Sequence, residues 1–327
     1  MNHTRTPLIQ FFSIIFFCVL AGTACQKNAA EGNDPEAAKN NGIILGFSQI
    51  GAESAWRNCN TRSIQEAAAA AGIQLLFSNA EQKQENQIKA IRSFIAYQVD
   101  VIAFVPIVSD GWDNVLQEAK DAGIPVLVTD RKINIQDESL YAGFIGTDSL
   151  KEGREAAWFL LAKFKERIAA GGKPIRIVEL SGTIGSSVAI GRAEGFREIL
   201  DQYPQFQIIY SESGDFLRSK GYELMQFILN SYSDIDVIYS HNDSMTLGAM
   251  DAMKEKNIVP GTDIVIVTID AEQAAIDALR RGEVNCVIEC NPKTGPDIME
   301  LAKQLARGEP IPRLFYPPQK RAQYRAP

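Results

Sequence analysis

The sequence predicts an α/β protein built from two doubly wound lobes, each with a mainly parallel sheet. From residue 43 onward, short apolar segments alternate with segments that have the periodicity of helices. The apolar segments are continuous rather than alternating, which is typical of parallel strands covered by helices on both faces. The units are too many for one open sheet, so the chain is expected to divide into two lobes near residues 146–148.

The strands and helices follow one another in regular order along the chain. Strands are predicted at residues 43–47, 73–78, 101–106, 125–129, 175–180, 207–211, 237–240, 264–269 and 285–289. Helices are predicted at residues 56–71, 84–97, 112–122, 150–169, 188–202, 217–230, 244–256, 272–281 and 296–307. Gly72, Gly123, Gly171 and Gly282 each follow a predicted helix, where the left-handed conformation that glycine adopts readily ends the helix.

Residues 1–24 have the layout of a secretory signal peptide. Arg5 precedes an apolar run at residues 8–20, and small residues follow it before Cys25. The run is shorter than the roughly 20 apolar residues of a membrane-spanning helix. Residues 25–42 are polar and have no apolar periodicity, so they are predicted to be a flexible tether. We therefore expect export to the periplasm.

Cys25 resembles the lipidation site of a bacterial lipoprotein. It follows small residues and precedes the polar tether, and lipid attachment would give this cysteine a use. Gly22 stands where such signals usually have leucine, so ordinary cleavage to a soluble product is the alternative. We favour lipidation at Cys25 and a protein tethered to the membrane.

Charge and histidine content exclude several classes of function. The formal net charge of −7 offers no basic field for a nucleic-acid backbone. His3 lies in the predicted signal peptide, which leaves His241 as the single other histidine. A histidine-rich metal site or a catalytic triad is therefore not expected, and no cofactor is predicted.

The cysteines beyond the tether are expected to be free thiols. Cys286 and Cys290 are four residues apart in a predicted strand, which puts their Cα atoms roughly 13 Å apart. A disulfide needs less than about 7 Å. Together with Cys59, they are predicted to be unpaired and mostly buried.

Polar and aromatic side chains collect where the predicted strands end. The candidates are Glu53, Trp56, Arg57, Asp130, Arg131, Arg192, Phe216, Asn242, Asp270 and Glu289. Ligands bind beyond the carboxyl ends of parallel strands, so two facing lobes would bring these residues into one cleft. Carboxylates and amides accept hydrogen bonds from hydroxyls, arginines donate several, and aromatic faces cover C–H surfaces. The set suits a neutral sugar, with Arg131 and Arg192 expected to pair with cleft carboxylates.

Each candidate also has an ordinary structural explanation. Asp130 and Arg131 alone would be a surface pair worth about 0–1 kcal/mol, and Trp56 alone would be a core residue. The segment GTIG at residues 182–185 lacks the Lys-Ser or Lys-Thr of a nucleotide-binding loop. The prediction of a site depends on many such residues following successive strands.

Several longer segments carry a family resemblance: GFSQIGAESAWR, EQKQENQIKAIRSF, PVLVTDRKI, VELSGTIGSSVAIGR, SGDFLRSKG and HNDSMTLGAM. They resemble bacterial periplasmic sugar-binding proteins of the ribose/galactose type (type I), and most of all the galactofuranose-binding members that serve ABC importers. The likeness extends from residue 43 to about residue 308. Two departures are Ala55, where the family more often has glycine, and Ser244, where a second acid is usual.

The resemblance implies a hinge of three crossover strands, near residues 146–148, 289–291 and 308–312. It assigns residues 43–147 and about 290–310 to the N-terminal lobe, and 148–289 and about 311–327 to the C-terminal lobe and tail. It implies that the ten candidates contact a monosaccharide such as galactofuranose, and that a membrane ABC permease is the partner. A monomer without cofactor or metal is expected.

Other functions fit parts of the sequence. A glycosidase could use Asp130 and Asp270, but nearby arginines are expected to keep both ionised, which disfavours a general acid. A gene regulator would need a DNA-binding headpiece before residue 43, where the export signal stands. Sensing through a chemoreceptor or membrane kinase stays open beside transport. We predict a non-enzymatic binder that closes on its sugar.

Overall fold

The computed structural model describes residues 42–319 and 323–324. The predicted signal peptide, Cys25 and the tether up to residue 41 lie outside the described residues. Within the described part of the chain, no helix combines the length and apolar character that crossing a bilayer requires.

The first lobe is a six-stranded sheet with helices on both faces. Its strands are β1 (Ile44–Gln49), β2 (Gln74–Asn79), β3 (Val101–Phe104), β4 (Val126–Asp130), β5 (Gly143–Gly146) and β11 (Leu314–Phe315). Their spatial order is β11-β5-β4-β3-β1-β2, and every neighbouring pair is parallel. Its helices are α1 (Ala55–Ala71), α2 (Gln84–Tyr97), α3 (Asp113–Asp121) and α10 (Gly295–Ala306), with a short 3₁₀ helix at Glu138–Leu140.

The second lobe repeats this architecture. Its strands are β6 (Ile175–Ser181), β7 (Phe206–Ser213), β8 (Val237–Ser240), β9 (Val265–Asp270), β10 (Cys286–Glu289) and β12 (Gln323–Tyr324). The order is β12-β10-β9-β8-β6-β7, parallel except for β12 against β10. Its helices are α4 (Ser149–Lys163), α5 (Lys165–Ala169), α6 (Ser187–Leu200), α7 (Arg218–Ser231), α8 (Asp243–Glu255) and α9 (Gln273–Arg281).

Each sheet has an apolar core on both faces. In the first lobe, Ile64 of α1 belongs to the core on one face and Ile91 of α2 to the core on the other. In the second lobe, Leu160 of α4 belongs to the core on one face of the sheet and Met250 of α8 to the core on the other. Full burial of such a side chain contributes roughly 1.5–3 kcal/mol, so two-sided coverage is the main source of stability. The predicted pair of doubly wound lobes is confirmed.

The structure corrects three sequence-based boundaries. The helix predicted at 150–169 is interrupted at Phe164, which separates α4 from α5. Strand β5 was not predicted, because two of its four residues are glycines. Leu314–Phe315 pairs with β5 in the first sheet, so the last crossover follows residue 315 instead of lying near 308–312, and these two residues do not join the C-terminal lobe.

Close packing of α4 on α6 positions one charged pair of the site. A Cβ at Gly195 would lie 2.0 Å from the carbonyl oxygen of Leu150, and one at Gly153 would lie 2.2 Å from that of Arg192. Glycine at both positions therefore lets the two helix backbones touch. The contact holds Arg192 of α6 beside Glu152 of α4.

Candidate ligand-binding site

A small cavity of about 30 Å³ lies between the lobes at the carboxyl ends of their strands. Its lining consists of Glu53, Ser54, Trp56, Arg57, Asp130, Arg131, Val188, Arg192, Phe216, Asn242, Asp270 and Cys290. All predicted site residues except Glu289 are among them. Glu289 lines a neighbouring cavity with Asn291 and Lys293. The structure thus brings the candidates of both lobes together and leaves Glu289 outside.

Arg57 joins two carboxylates on the wall that the first lobe provides. Its Nε donates to Glu53 Oε1 at 2.9 Å and its Nη2 donates to Asp130 Oδ2 at 2.6 Å. Burial alone would lower the pKa of Arg57, but Asp130 and Glu53 raise it above its ordinary value. This arginine is therefore a permanent cation held between two acids.

Two polar atoms of this group have no hydrogen-bond partner within the described part of the chain. They are Arg57 Nη1, a donor, and Glu53 Oε2, an acceptor, and both are buried. An unsatisfied buried polar group costs about 1–3 kcal/mol. Since both residues line the cavity, a hydroxylated ligand would satisfy one donor and one acceptor.

Arg131 has a different partner from the one the sequence suggested. Its Nη1 donates to the main-chain carbonyl of Ile107 at 2.9 Å, whereas a cleft carboxylate was expected. Burial, and next the charge of Arg57, lower its pKa to about 10, so it stays protonated at neutral pH. Its guanidinium lies 5.3 Å from the ring centroid of Phe216, on the opposite lobe. Arg131 therefore links the lobes through a cation–π contact.

Arg192 is the charged centre of the second lobe, and it does pair with carboxylates. Its Nε donates to Glu152 Oε2 at 2.9 Å, Nη1 donates to the carbonyl of His241, and Nη2 lies 3.6 Å from Asp270 Oδ1. Its side chain is only 3% exposed. Glu152, which was not predicted, is its nearer acid, so Asp270 faces a cation that is already paired.

Asp270 and the neighbouring Asp243 are buried carboxylic acids with raised pKa values. Burial raises the pKa of Asp270 well above its ordinary range, and Arg192 offsets this only partly. Burial also raises the pKa of Asp243 to about 8, although Asp243 accepts from Thr268 Oγ1 and from the main-chain N–H of Glu272, each at 2.7 Å. Desolvation thus opposes the expected ionisation of Asp270 more strongly than Arg192 supports it.

Two aromatic rings line the cavity. Phe216 is buried against Gly182, where a Cβ would lie 1.9 Å from Phe216 Cζ. The indole N–H of Trp56 donates to the carbonyl of Cys290 at 2.5 Å, on a crossover strand. The Arg57 guanidinium lies 4.7 Å from the Trp56 ring centroid. Contacts with the protein thus fix both rings.

Asn242 is held in place by two hydrogen bonds within the second lobe. It caps α8, where its Oδ1 accepts from the main-chain N–H of Met245 at 3.0 Å. Its Nδ2 donates to the carbonyl of Phe216 at 3.1 Å. In this structure Asn242 positions Phe216.

Direct hydrogen bonds connect the rims of the two lobes. The main-chain N–H of Ser109 donates to the carbonyl of Gly185 at 2.9 Å. That of Lys132 donates to Ser187 Oγ at 2.7 Å. Together with the burial of the cavity residues, these bonds show a closed cleft.

Sequence reasoning missed three lining residues and one buried acid. Ser54 directly precedes a predicted helix, and an N-cap signal could have placed it there. Val188 and Cys290 lie beside predicted elements without a distinguishing pattern. Glu152 gave no signal, because its partner is 40 residues away and only helix packing joins them. Among the described residues, no group of three or more His, Cys, Asp or Glu side chains could hold a metal ion.

Comparisons with known proteins agree on one family. A family model described as a periplasmic binding protein domain matches residues 45–310. The chain is 43% identical over 265 residues to the galactofuranose-binding protein YtfQ of Escherichia coli, which covers 80% of this chain and 81% of that protein.

Two solved structures are similar along most of the chain. One, from Mycobacterium smegmatis in complex with β-D-fucofuranose, is 47% identical, with a TM-score of 0.83 over 86% of this chain and 91% of that one. The other is the binding component of an arabinose ABC transporter from Shewanella, bound to α- and β-L-arabinofuranose. It is 38% identical, with a TM-score of 0.81 over 86% of this chain and 92% of that one.

Proposed function

The chain belongs to the periplasmic binding protein family, and from this premise we propose that it captures a furanose monosaccharide and delivers it to an ABC permease. The observation that carries the proposal is the pair of orphan polar atoms, Arg57 Nη1 and Glu53 Oε2, on the cavity wall. A sugar hydroxyl both donates and accepts, so it matches this pair. Trp56 and Phe216 provide apolar faces for the C–H surface of a ring.

The relatives support a five-membered ring. Their names and descriptions refer to galactofuranose, β-D-fucofuranose and L-arabinofuranose. Fucose is 6-deoxygalactose, and L-arabinose shares the configuration of the galactose ring carbons but lacks its last carbon. We therefore propose galactofuranose or a sugar that differs from it only at the exocyclic end.

Closure around the ligand supports capture and hand-over. A sugar that contacts both lobes favours the closed form by its higher affinity for that form. The relatives above include a transporter component, which favours delivery to a permease over signalling to a chemoreceptor or kinase. We propose that the protein acts as a monomer, with one cleft in each chain.

We do not propose catalysis. The raised pKa of Asp270 would suit a general acid, but Asp130 is tied to Arg57 at 2.6 Å and is not free to act as its partner. The relatives named above are binding proteins. Turnover of aryl glycosides by the purified protein would contradict this part of the proposal.

Family membership implies a periplasmic location, and we propose that a lipid on Cys25 holds the protein at the membrane. In cells, Cys25→Ala should move the protein from the detergent phase to the aqueous phase. An unchanged distribution would favour ordinary cleavage.

Calorimetry tests the ligand. D-galactose, D-fucose and L-arabinose, whose solutions contain furanose forms, should bind, and ribose should bind more weakly. Nuclear magnetic resonance of the bound sugar should show the five-membered ring. Selective retention of the pyranose, or no binding by any of these sugars, would overturn the proposal.

A further inference from the structure

Glu272 of the second lobe caps a helix of the first lobe. Its Oε1 accepts from the main-chain N–H of Trp56 at 3.0 Å, across 216 residues of sequence. Trp56 is the second residue of α1, so this N–H belongs to the first turn, where the helix itself supplies no acceptor. A side chain from the opposite lobe therefore supplies the acceptor.

Helix α1 lacks its own means to satisfy this group. The hydroxyl of Ser54 accepts from the N–H of Arg57, and the first turn contains no acidic residue. Acceptors at a helix N-terminus are normally local in sequence. Here Glu272 supplies the acceptor from the other lobe, so the hydrogen bond exists only while the lobes are closed.

Glu272 is held in place from its own lobe. Its main-chain N–H donates to Asp243 Oδ2 at 2.7 Å, and Ser244 Oγ lies 3.4 Å from its Oε1. Glu272 does not line the cavity that holds Arg57 and Arg192. Glu272 therefore does not belong to the wall that meets the sugar, although its partner Trp56 does; it lines the neighbouring cavity instead.

We propose that Glu272 is a positioning residue that holds the cleft closed by accepting a hydrogen bond from the first turn of α1. The inference rests on the proposed sugar capture, because an open, empty protein gains nothing from this bond. The bond forms after closure, so it should slow release of any bound sugar and leave association unchanged.

Two substitutions separate the hydrogen bond from other roles of the side chain. Glu272→Ala removes the acceptor and should weaken binding by about three- to tenfold. Glu272→Gln retains an acceptor oxygen and should restore most of the affinity. Gln273→Ala is the matched control, because Gln273 is the next residue, is exposed, and bonds within its own helix to Asp277.

The experiment measures affinity and release rate for D-galactose, D-fucose and L-arabinose, together with melting temperature without sugar. If Glu272 holds the cleft closed, Glu272→Ala should lose affinity by the same factor for all three sugars and should release them faster. Its melting temperature without sugar should be unchanged. Equal affinity of wild type and Glu272→Ala, or a loss of affinity confined to one sugar, would overturn the proposed role of Glu272 and leave the proposed sugar capture intact. If the wild type binds none of the three sugars, the proposed function is overturned, and the proposed role of Glu272 is overturned with it.

Discussion

Arg57 and Asp130 are 73 residues apart in the chain, yet Arg57 Nη2 lies 2.6 Å from Asp130 Oδ2. Arg57 stands in the first turn of α1 and Asp130 is the last residue of β4. Asp130 has a φ of +62°, in the left-handed region that is unusual for a residue with a side chain. The turn at the end of β4 directs this carboxylate to the arginine at some cost in backbone strain. Such strain is common at binding sites, where surrounding contacts maintain it.

Replacing Arg57 should abolish most of the affinity. Arg57→Ala would leave Glu53 and Asp130 buried without their shared cation, and removing one partner of a buried ion pair costs about 3–5 kcal/mol. We expect binding of D-galactose or L-arabinose to weaken at least about 100-fold by calorimetry.

An exposed arginine of the same lobe provides the control. Arg92 pairs with Glu118 at 2.7 Å on the surface, where 53% of the arginine side chain is exposed. Arg92→Ala should leave affinity unchanged, because Arg92 does not line the cavity and an exposed ion pair contributes little to stability. Similar affinity losses in both variants would show that Arg57 has no special role.

Gly182 should be required for sugar binding, because a larger residue at this position would collide with the ring of Phe216. Its backbone does not adopt a positive φ, so alanine is allowed there, but the new Cβ would overlap the ring of Phe216. Gly182→Ala should displace this ring into the cavity and weaken sugar binding, at a cost of about 1–3 kcal/mol.

Gly172→Ala is a suitable comparison for Gly182→Ala. The nearest atom to a Cβ at Gly172 is Cγ of the flexible Arg167 side chain, at 3.3 Å. Unchanged binding is expected for this variant. Full affinity in Gly182→Ala would mean that Phe216 does not shape the sugar site.

The buried Asp243 should make the sugar-free protein less stable as pH rises. Its pKa of about 8 in the folded state exceeds the value of about 3.9 for an unfolded chain, so folding favours the protonated form. The contribution of Asp243 to the free energy of unfolding is therefore greatest below about pH 4 and falls toward pH 8, by at most about 1.4 kcal/mol per pH unit. The raised pKa of Asp270 acts in the same direction.

Melting temperatures at pH 5, 6, 7 and 8 check this dependence. Asp243→Asn should be less stable at every pH, because the amide mismatches the two donors from Thr268 and Glu272. Its melting temperature should nevertheless fall less steeply with pH. Asp251→Asn, at a half-exposed position on the same helix, should keep the wild-type slope. Parallel slopes for wild type and Asp243→Asn would contradict the prediction.

Most of the fold and the membership of the cavity follow from local sequence patterns. Apolar segments such as that of β4 mark buried strands, and the polar residues that follow them are carried to one edge of each sheet. This is why Asp130 and Asp270 could be placed in one cleft without knowledge of any contact. Strand β5 was not predicted, because Gly143 and Gly146 interrupt its apolar pattern.

Pairing and protonation inside the cavity were not accessible from sequence. Arg131 bonds to the carbonyl of Ile107 and Arg192 to Glu152, and both partners depend on tertiary packing. The protonation of Asp270 depends on how completely water is excluded, which no spacing reveals. Glu289 ends β10 beside Asp270 of β9, but Asp270 lines both cavities whereas Glu289 lines only the neighbouring one.

Trp56 should report sugar binding through its fluorescence. The chain has three tryptophans: Trp56 lines the cavity, Trp112 is fully buried in the first lobe, and Trp158 is 50% exposed. Because Trp56 is the one of the three that lines the cavity, we expect a bound sugar to change its surroundings most. We expect titration with L-arabinose or D-galactose to shift the emission of the wild type and of Trp158→Phe equally.

Trp56→Phe should lose this optical signal, and it should also lose affinity. Phenylalanine cannot donate to the carbonyl of Cys290, so the buried acceptor on the crossover strand is left without its indole partner, at about 1–3 kcal/mol. For Trp56→Phe, calorimetry should therefore show weaker binding, and titration with sugar should produce no change in fluorescence emission. A full emission change in Trp56→Phe would place the reporter elsewhere and would argue against a sugar beside this ring.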